Sequence, residues 1–375
     1  MSPVAERDLS PGVDRDLAIH RGRPLRVLHG TYEIAGQGMM LARALREWGC
    51  DARALSYRVD WDARVSDLVV DLDRHSSAVA KGAAMLSTFA RWARYFDVFH
   101  LHFGTSFLPR QFDVPLLKRM GKVVVFHFHG CEVRNRAHML THHRLATCTE
   151  CDPFCRPAHQ RWLLERAARY ADRVFYSTLD LAESVPNSSH LPLAIETARW
   201  EEAARLAPLP DFGRRDGVHG PVVVAHAPTN RLIKGTRHVV DAVGRLALEL
   251  PRIELRMIEK KPWAEMPAFL SGCDLLVDQL MMGWYGLLAI EGMAESRAVV
   301  SYIRDDFRDV HPDLPVVSAE PDTAFEVLRD LARDPSRRAA LGERGVKFVR
   351  KQHDTRVVGK RLLEIYRQCL GEKGS

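Results

Sequence analysis

No run of eighteen apolar residues occurs in the 375-residue sequence, so no segment reads as a membrane-crossing helix. The first 24 residues, MSPVAERDLSPGVDRDLAIHRGRP, lack an apolar signal core and are expected to form a disordered polar tail rather than a secretory leader. Cysteine is scarce and odd in number. The seven that occur lie partly in apolar stretches, which argues against a disulfide framework and suits the reducing cytoplasm. There is no basic tract and no nucleic-acid-binding motif. The net charge is +6, from 54 basic and 48 acidic side chains, and over this length that is mild. It fits anionic small molecules or a loose contact with a membrane surface and is weak evidence for nucleic acid, which is not expected as a partner. No Asp-x-Asp stands in a metal-binding context. The glycine-rich turn after the first strand is not G-x-G-x-x-G, so a dinucleotide reading is weak.

What is present is apolar content of 46%, enough for two cores, in a chain too long for one ordinary domain. The fold class read from the pattern is α/β, with strands and helices alternating as in doubly wound sheets. Leu25–His29 is a strand. It runs through Gly30-Thr-Tyr-Glu-Ile-Ala-Gly36-Gln-Gly38 into a helix over Met39–Trp48, and Ala52–Ser56 is the next strand. This is a βαβ unit with a small-residue first turn, which serves either ligand approach or simply a helix N-terminus that needs small side chains. Residues 84–96 read as an amphipathic helix with Arg91 and Arg94 beside Trp92. It either covers the sheet or touches a membrane surface.

Asp97–Phe103 and Lys122–Phe128 are buried-type strands that end in paired histidines. Period-two alternation places His100 with His102, and His127 with His129, on one face. Strand C-terminal ends are where open parallel sheets bind ligands. Cys148, Cys151, Cys155 and His159 follow at spacings that can converge on one structural zinc. Three readings stay open for them: a structural metal, reduced cysteines in a loop, or a redox role. No second C-x2-C completes the set.

Residues 207–221 are rich in Pro and Gly and read as a linker between a first domain, 25–206, and a second, 222–354. In the second, Val222–Ala225 is followed by a loop carrying Asn230, Arg231 and Lys234, and then by a helix opened by Gly235-Thr236. Asp278–Tyr302 reads as strand, tight loop, helix, strand, with Gly283 and Gly286 in the loop and Glu291 inside the helix. A loop rich in backbone N–H groups that ends on a helix N-terminus is a ready phosphate site. Glu291 is either a ligand-holding carboxylate or a solvated helix position, since Glu295 shares its face.

Tyr285-Gly286-Leu287 and Glu291-Gly-Met-Ala294 resemble the donor-site segment of retaining GT-B glycosyltransferases, the family-4-like group (glycosyl transferases group 1). The HFHGCEVR segment resembles that family's His-Gly-x-Asp, with Glu132 for aspartate. Ser177–Asp180 and His190–Ala194 resemble later segments, Leu193 replacing a common asparagine. Two departures stand out. The first of the family's two glutamates is replaced by Gly283, and Arg231 and Lys234 stand three apart instead of five.

The resemblance implies two Rossmann-like domains facing across a cleft, with the last helix, 355–370, crossing back to the first. It implies a hexosyl group moved from a UDP-, GDP- or TDP-linked sugar to an acceptor hydroxyl, with retention and without a catalytic metal. Arg231 and Lys234 would clamp the pyrophosphate, with Asn230 in reserve. Gly36, Gly38, Gly286 and Leu287 would line the donor. Glu291 would hold the ribose hydroxyls, since a carboxylate offers two acceptor oxygens to a cis-diol. His129 would lie beside the transferred sugar, with His127 as runner-up, and Glu259, Lys260 and Lys261 would approach the base. Trp284 or backbone groups would replace the missing glutamate. The acceptor is open: a saccharide, a lipid-linked saccharide or a natural product. Two other readings remain, an epimerase of nucleotide-sugars on the same fold and a non-catalytic nucleotide-sugar-binding subunit.

Overall fold

The computed structural model describes residues 15–59, 66–150, 155–206 and 221–372. All but one residue of the linker read from sequence, and Cys151 of the cysteine set, lie outside the described residues.

Two parallel sheets organise the molecule. The first is built from β1 (Arg26–Gly30), β2 (Asp51–Ser56), β3 (Leu68–Val69), β4 (Val98–His102), β5 (Val123–Phe128), β6 (Arg173–Tyr176) and β7 (Ser189–His190), in the order β3-β2-β1-β4-β5-β6-β7. The second contains β8 (Val222–His226), β9 (Ile253–Met257), β10 (Leu275–Val277), β11 (Ala298–Ser301) and β12 (Val317–Ser318), in the order β9-β8-β10-β11-β12. Both are doubly wound: the strand order reverses between β1 and β4 in the first sheet and between β8 and β10 in the second. Ligand crevices form outside the strand ends at such reversals. The central strands β4, β5, β8 and β10 are buried along their whole length, which is why they read as near-continuous apolar runs.

Helices cover both faces. The helix Gln37–Glu47 lays Met40, Leu41 and Leu45 on the first sheet. The last helix, Thr355–Glu372, packs Val358, Leu362 and Tyr366 into that same core. The two helices touch at Gly359, where a Cβ would stand 2.8 Å from the Cβ of Ala44. The helix read as 84–96 runs over Ala78–Trp92, because Ser77 Oγ caps it by accepting from Ala80 N at 3.1 Å. It buries Phe89 against the sheet, and the Arg91 guanidinium sits 5.0 Å over the Trp92 ring.

Two sequence expectations change. Residues 15–24 are not tail: Arg15–Ala18 is a short helical turn, and Ile19–His20 pairs antiparallel with Arg23–Pro24. Ala18 is buried and its carbonyl accepts from Leu25 N at 2.7 Å, so a chain that looked uniformly polar is tied to the first strand by one small apolar side chain. The helix Thr197–Leu206, read as the end of the first domain, instead drives Trp200 into the core of the second, beside Leu276 and Met293. The chain therefore crosses between the lobes before residue 200. It crosses back near His353, where Ile195 and Asp354 form a lone parallel bridge.

Candidate active site

The C-terminal ends of the two sheets face each other across a cleft of about 760 Å³. Its second-lobe wall is made by two loop–helix junctions. After β8, Asn230 caps a single turn, Arg231–Lys234, its Oδ1 accepting from Leu232 N at 3.0 Å and Ile233 N at 3.1 Å. Gly235, at φ 70°, ends that turn and starts the helix Thr236–Glu249. The left-handed conformation favours glycine, and a Cβ there would also meet Met281 Cγ at 2.9 Å.

After β10 the wholly buried Asp278 organises the wall. Its Oδ1 accepts from Lys234 Nζ at 2.9 Å, and its Oδ2 accepts from the Gly286 N–H at 2.5 Å. Lys234 Nζ also donates to Gln279 Oε1 at 2.5 Å. An ammonium and a helix N-terminus are thus held side by side. The helix Leu287–Ala294 has no side-chain cap, so its positive end meets the cleft.

One turn further on, Glu291 is 4% exposed and lines the cleft, with Oε1 accepting from the Trp263 indole N–H at 2.9 Å. The solvated-position reading fails for it and for Glu295, which is completely buried with Arg297 3.9 Å away. Burial, only partly offset by Arg297, pushes Glu295 up to about 7.

Arg231 stands at the rim, exposed, paired with Glu259 through Nε at 2.8 Å and Nη2 at 2.6 Å. That pairing raises the arginine and lowers the glutamate. Arg231, Lys234, Gly286, Leu287 and Glu291 all border the same space. So do Glu259, Lys260 and Lys261.

The first lobe presents a different wall. His129, Ser177 and Leu193 line it. His129 Nε2 lies 2.9 Å from His102 Nδ1, and His129 Nδ1 lies 2.5 Å from Ser177 Oγ. Its backbone N–H donates to Glu132 Oε1 at 2.5 Å, which is what a residue in the aspartate's place does here. Burial holds His129 well below the ordinary imidazole range and pushes Glu132 up to about 7. His129 therefore meets the cleft as a ring whose burial disfavours the charged form and whose two nitrogens already face His102 and Ser177.

Several sequence-predicted residues do other work. Asn230 is committed to its capping bonds and does not border the cleft. Gly36, at φ 73°, precedes the first helix, and Gly38 lies in its first turn, but the phosphate-facing reading fails for both. The Glu33 carboxylate already accepts from Gly38 N and Met39 N, each at 3.0 Å, and plugs that helix end. Neighbouring Ile34, Ala35 and Gln37 reach the cleft instead.

Trp284 is 1% exposed, packed edge-on to Phe307, and its indole does not replace the missing glutamate. The Tyr285 hydroxyl is turned inward to His353 Nε2 at 2.9 Å. His127 is buried behind Ser177. Of the cysteine set, Cys148 is buried with Met139 and Ala146, Gln160 Nε2 donates to Cys155 Sγ at 3.6 Å, and His159 stacks on Trp162. These three do not form a group of converging ligands among the described residues.

Sequence reasoning missed Asp278, Gln279, Trp263 and the side chain of Ser177. Asp278 carried the one usable signal, an acid at the end of a buried strand directly before a glycine-rich loop.

No protein-family model matches the chain, and no curated protein matches it in sequence. Solved structures do resemble it. Sucrose-phosphate synthase from Thermosynechococcus elongatus has a TM-score of 0.63 at 13% identity, over 92% of this chain and 99% of that one. Anabaena HepE in complex with UDP-glucose has a TM-score of 0.59 at 10% identity, over 91% and 99%. The MnaA–UDP structure from S. aureus has a TM-score of 0.53 at 10% identity, over 92% and 97%. These likenesses establish the fold: GT-B, two Rossmann-like domains facing across a cleft.

Proposed function

We propose that the cleft transfers a hexosyl group from a nucleoside-diphosphate sugar to an acceptor hydroxyl, with retention at the anomeric carbon and without a catalytic metal. The observation that carries this reading is the juxtaposition of Lys234 Nζ and the uncapped helix end at Gly286, both fixed on the buried Asp278 carboxylate. A diphosphate gains negative charge as the glycosidic bond breaks. A fixed ammonium and aligned N–H groups stabilise that charge with little reorganisation, because Asp278 has already oriented them.

Arg231, at the rim, exchanges Glu259 for a phosphate oxygen. Glu291, steadied by Trp263, takes the ribose hydroxyls, and Glu259, Lys260 and Lys261 surround the base. The acceptor approaches from the first lobe, where the Ser177 hydroxyl lines the cleft and the His129 ring, held by His102 and Ser177, packs beside the transferred sugar. UDP and UDP-glucose in the structures of HepE and MnaA support uridine diphosphate as the first donor to try, with GDP and TDP as comparators.

The test is a thermal-shift panel of UDP, GDP and TDP and their sugars, followed by product analysis with labelled donors. Stabilisation by one diphosphate, lost in Lys234→Ala and Glu291→Ala, and a glycosylated product are expected. Unchanged turnover in both variants would overturn the site. An epimerised nucleotide-sugar formed without acceptor would replace transfer by epimerisation.

A further inference from the structure

Behind the cleft wall, one face of the first sheet carries four histidines where a parallel sheet normally buries aliphatic side chains, and a fifth, His129, lies just past β5. Strand register gathers them. His29 on β1 is paired with His100 on β4, and His102 with His127 on β5. Residues two apart on a strand share a face, so His100 joins His102, and His127 joins His129.

The inner three, His29, His100 and His102, are completely buried. One ring nitrogen from each lies within 4.8 Å of those of the other two. The rings are stacked, with centroids 4.7 Å apart for His29–His100 and for His100–His102.

Outer contacts aim these rings. His100 Nδ1 lies 2.6 Å from the Tyr366 hydroxyl, and His102 Nδ1 lies 2.9 Å from His129 Nε2. His29 Nδ1 and His102 Nε2 stand 3.0 Å apart. Two nitrogens on one tetrahedral ion at 2.0–2.1 Å would stand about 3.3 Å apart. Nε2 of His29 and Nε2 of His100 have no hydrogen-bond partner among the described residues. Buried polar atoms without partners are costly and rare. A cation held by the facing pair His29 Nδ1 and His102 Nε2 would also satisfy His100 Nε2, and His29 Nε2 would then carry that ring's proton.

We propose that His29, His100 and His102 bind one divalent transition-metal ion of the zinc–copper class. Neutral imidazoles suit these ions, whereas Mg²⁺ and Ca²⁺ favour oxygen ligands. Tyr366 and His129 are the outer partners that fix ring orientation, as hydrogen bonds to metal-bound imidazoles generally do. Because Tyr366 belongs to the crossing helix Thr355–Glu372, the ion ties that helix to the first sheet. The site does not depend on the donor-site reading, and its test does not depend on activity.

The test uses the full-length protein, produced in zinc- or copper-supplemented medium and purified without a metal-affinity step. Elemental analysis should give about one ion per chain, as for a closed structural site. Metal should fall at least tenfold in His100→Phe and persist in Cys148→Ser/Cys155→Ser. Added Zn²⁺ should raise the melting temperature of metal-stripped protein, and Mg²⁺ should not. Cobalt reconstitution of the wild type serves if His100→Phe does not fold: visible ligand-field bands without a thiolate charge-transfer band support imidazole ligation. Less than a tenth of an ion per chain with no Zn²⁺ shift overturns the proposal. So does full metal in a folded His100→Phe protein, or metal lost only from the cysteine variant.

Discussion

Two helix N-termini point toward the same cleft, and they are prepared differently. In the first lobe, the helix Gln37–Glu47 has Glu33 folded back on it, its carboxylate taking the N–H groups of Gly38 and Met39. In the second lobe, the helix Leu287–Ala294 has no side-chain cap, and the nearby carboxylate, Asp278, is paired with Lys234. A helix N-terminus attracts whichever anion is at hand. In the first the carboxylate takes two N–H groups, whereas in the second it takes one, that of Gly286, and is itself paired with the Lys234 ammonium. On the proposed reading, that difference favours the second lobe for the diphosphate and leaves the first as the wall of His129 and Ser177.

The comparison breaks most visibly at Lys234. Lys234→Ala should lower kcat/KM by about 10²–10³, the usual cost of one lost oxyanion donor, in an assay with saturating acceptor. The same change leaves Asp278 buried beside Gly286 without its cation, so circular dichroism and melting must be read alongside. Wild-type kcat/KM in a folded Lys234→Ala protein would move the phosphate elsewhere.

Next in size, Glu291→Ala should weaken nucleoside-diphosphate binding by roughly 10–100-fold, as expected for hydrogen bonds to a charged group worth about 1.5–3 kcal/mol. Isothermal titration with the diphosphate alone measures it, and a Kd within twofold of wild type would remove Glu291 from the ribose.

Glu33→Gln sharpens the contrast from the other side. It should cost about 1 kcal/mol in urea unfolding, the ordinary worth of a cap, and leave diphosphate affinity within about threefold, close to ordinary surface effects. A tenfold gain in affinity would mean that the plugged helix end is the true phosphate seat.

The smallest effect concerns the tie between lobes. Glu183 in the first lobe accepts from Arg304 of the second at 2.5 Å and meets His138 and His143, each at 2.8 Å, while Asp306 shares the guanidinium. Burial pushes the Glu183 carboxyl up, but these bonds outweigh it and bring it from 4.5 down to about 2. A lowered carboxyl contributes stability that is complete above 4.5 and is lost as pH falls toward 2. Glu183→Gln should therefore cost about 1 kcal/mol at neutral pH, discounted for its partial exposure, and the difference from wild type should vanish in acid. Equal unfolding midpoints at pH 7 would remove the tie.

Much of this was legible from local pattern. The strand before Gly283 and the helix Leu287–Ala294 follow from residue type and spacing, whereas the places of Lys234 and Glu291 on the cleft wall were implied by the family resemblance. The errors share one cause. Gly36 and Gly38 read as phosphate-facing because small residues at a helix start are ambiguous, and Glu33, five residues upstream, looked like an ordinary polar position. Asn230 offered the same atoms to a ligand and to its own helix, and the nearer partner won. Cys148, Cys155 and His159 have ligand-like spacing, and among the described residues each has a different neighbour.

The sequence by itself determined the alternation of strands and helices, the division of apolar and polar faces, and the two loops that open onto helix N-termini. Those depend on neighbours within a few residues, where periodicity and turn chemistry act. Only the tertiary structure decided that Asp278 joins Lys234 to Gly286, that Trp200 belongs to the far lobe, and that His29 faces His100. Each depends on the register between segments tens to hundreds of residues apart. That register is set by how whole sheets and helices pack, and no local spacing encodes it.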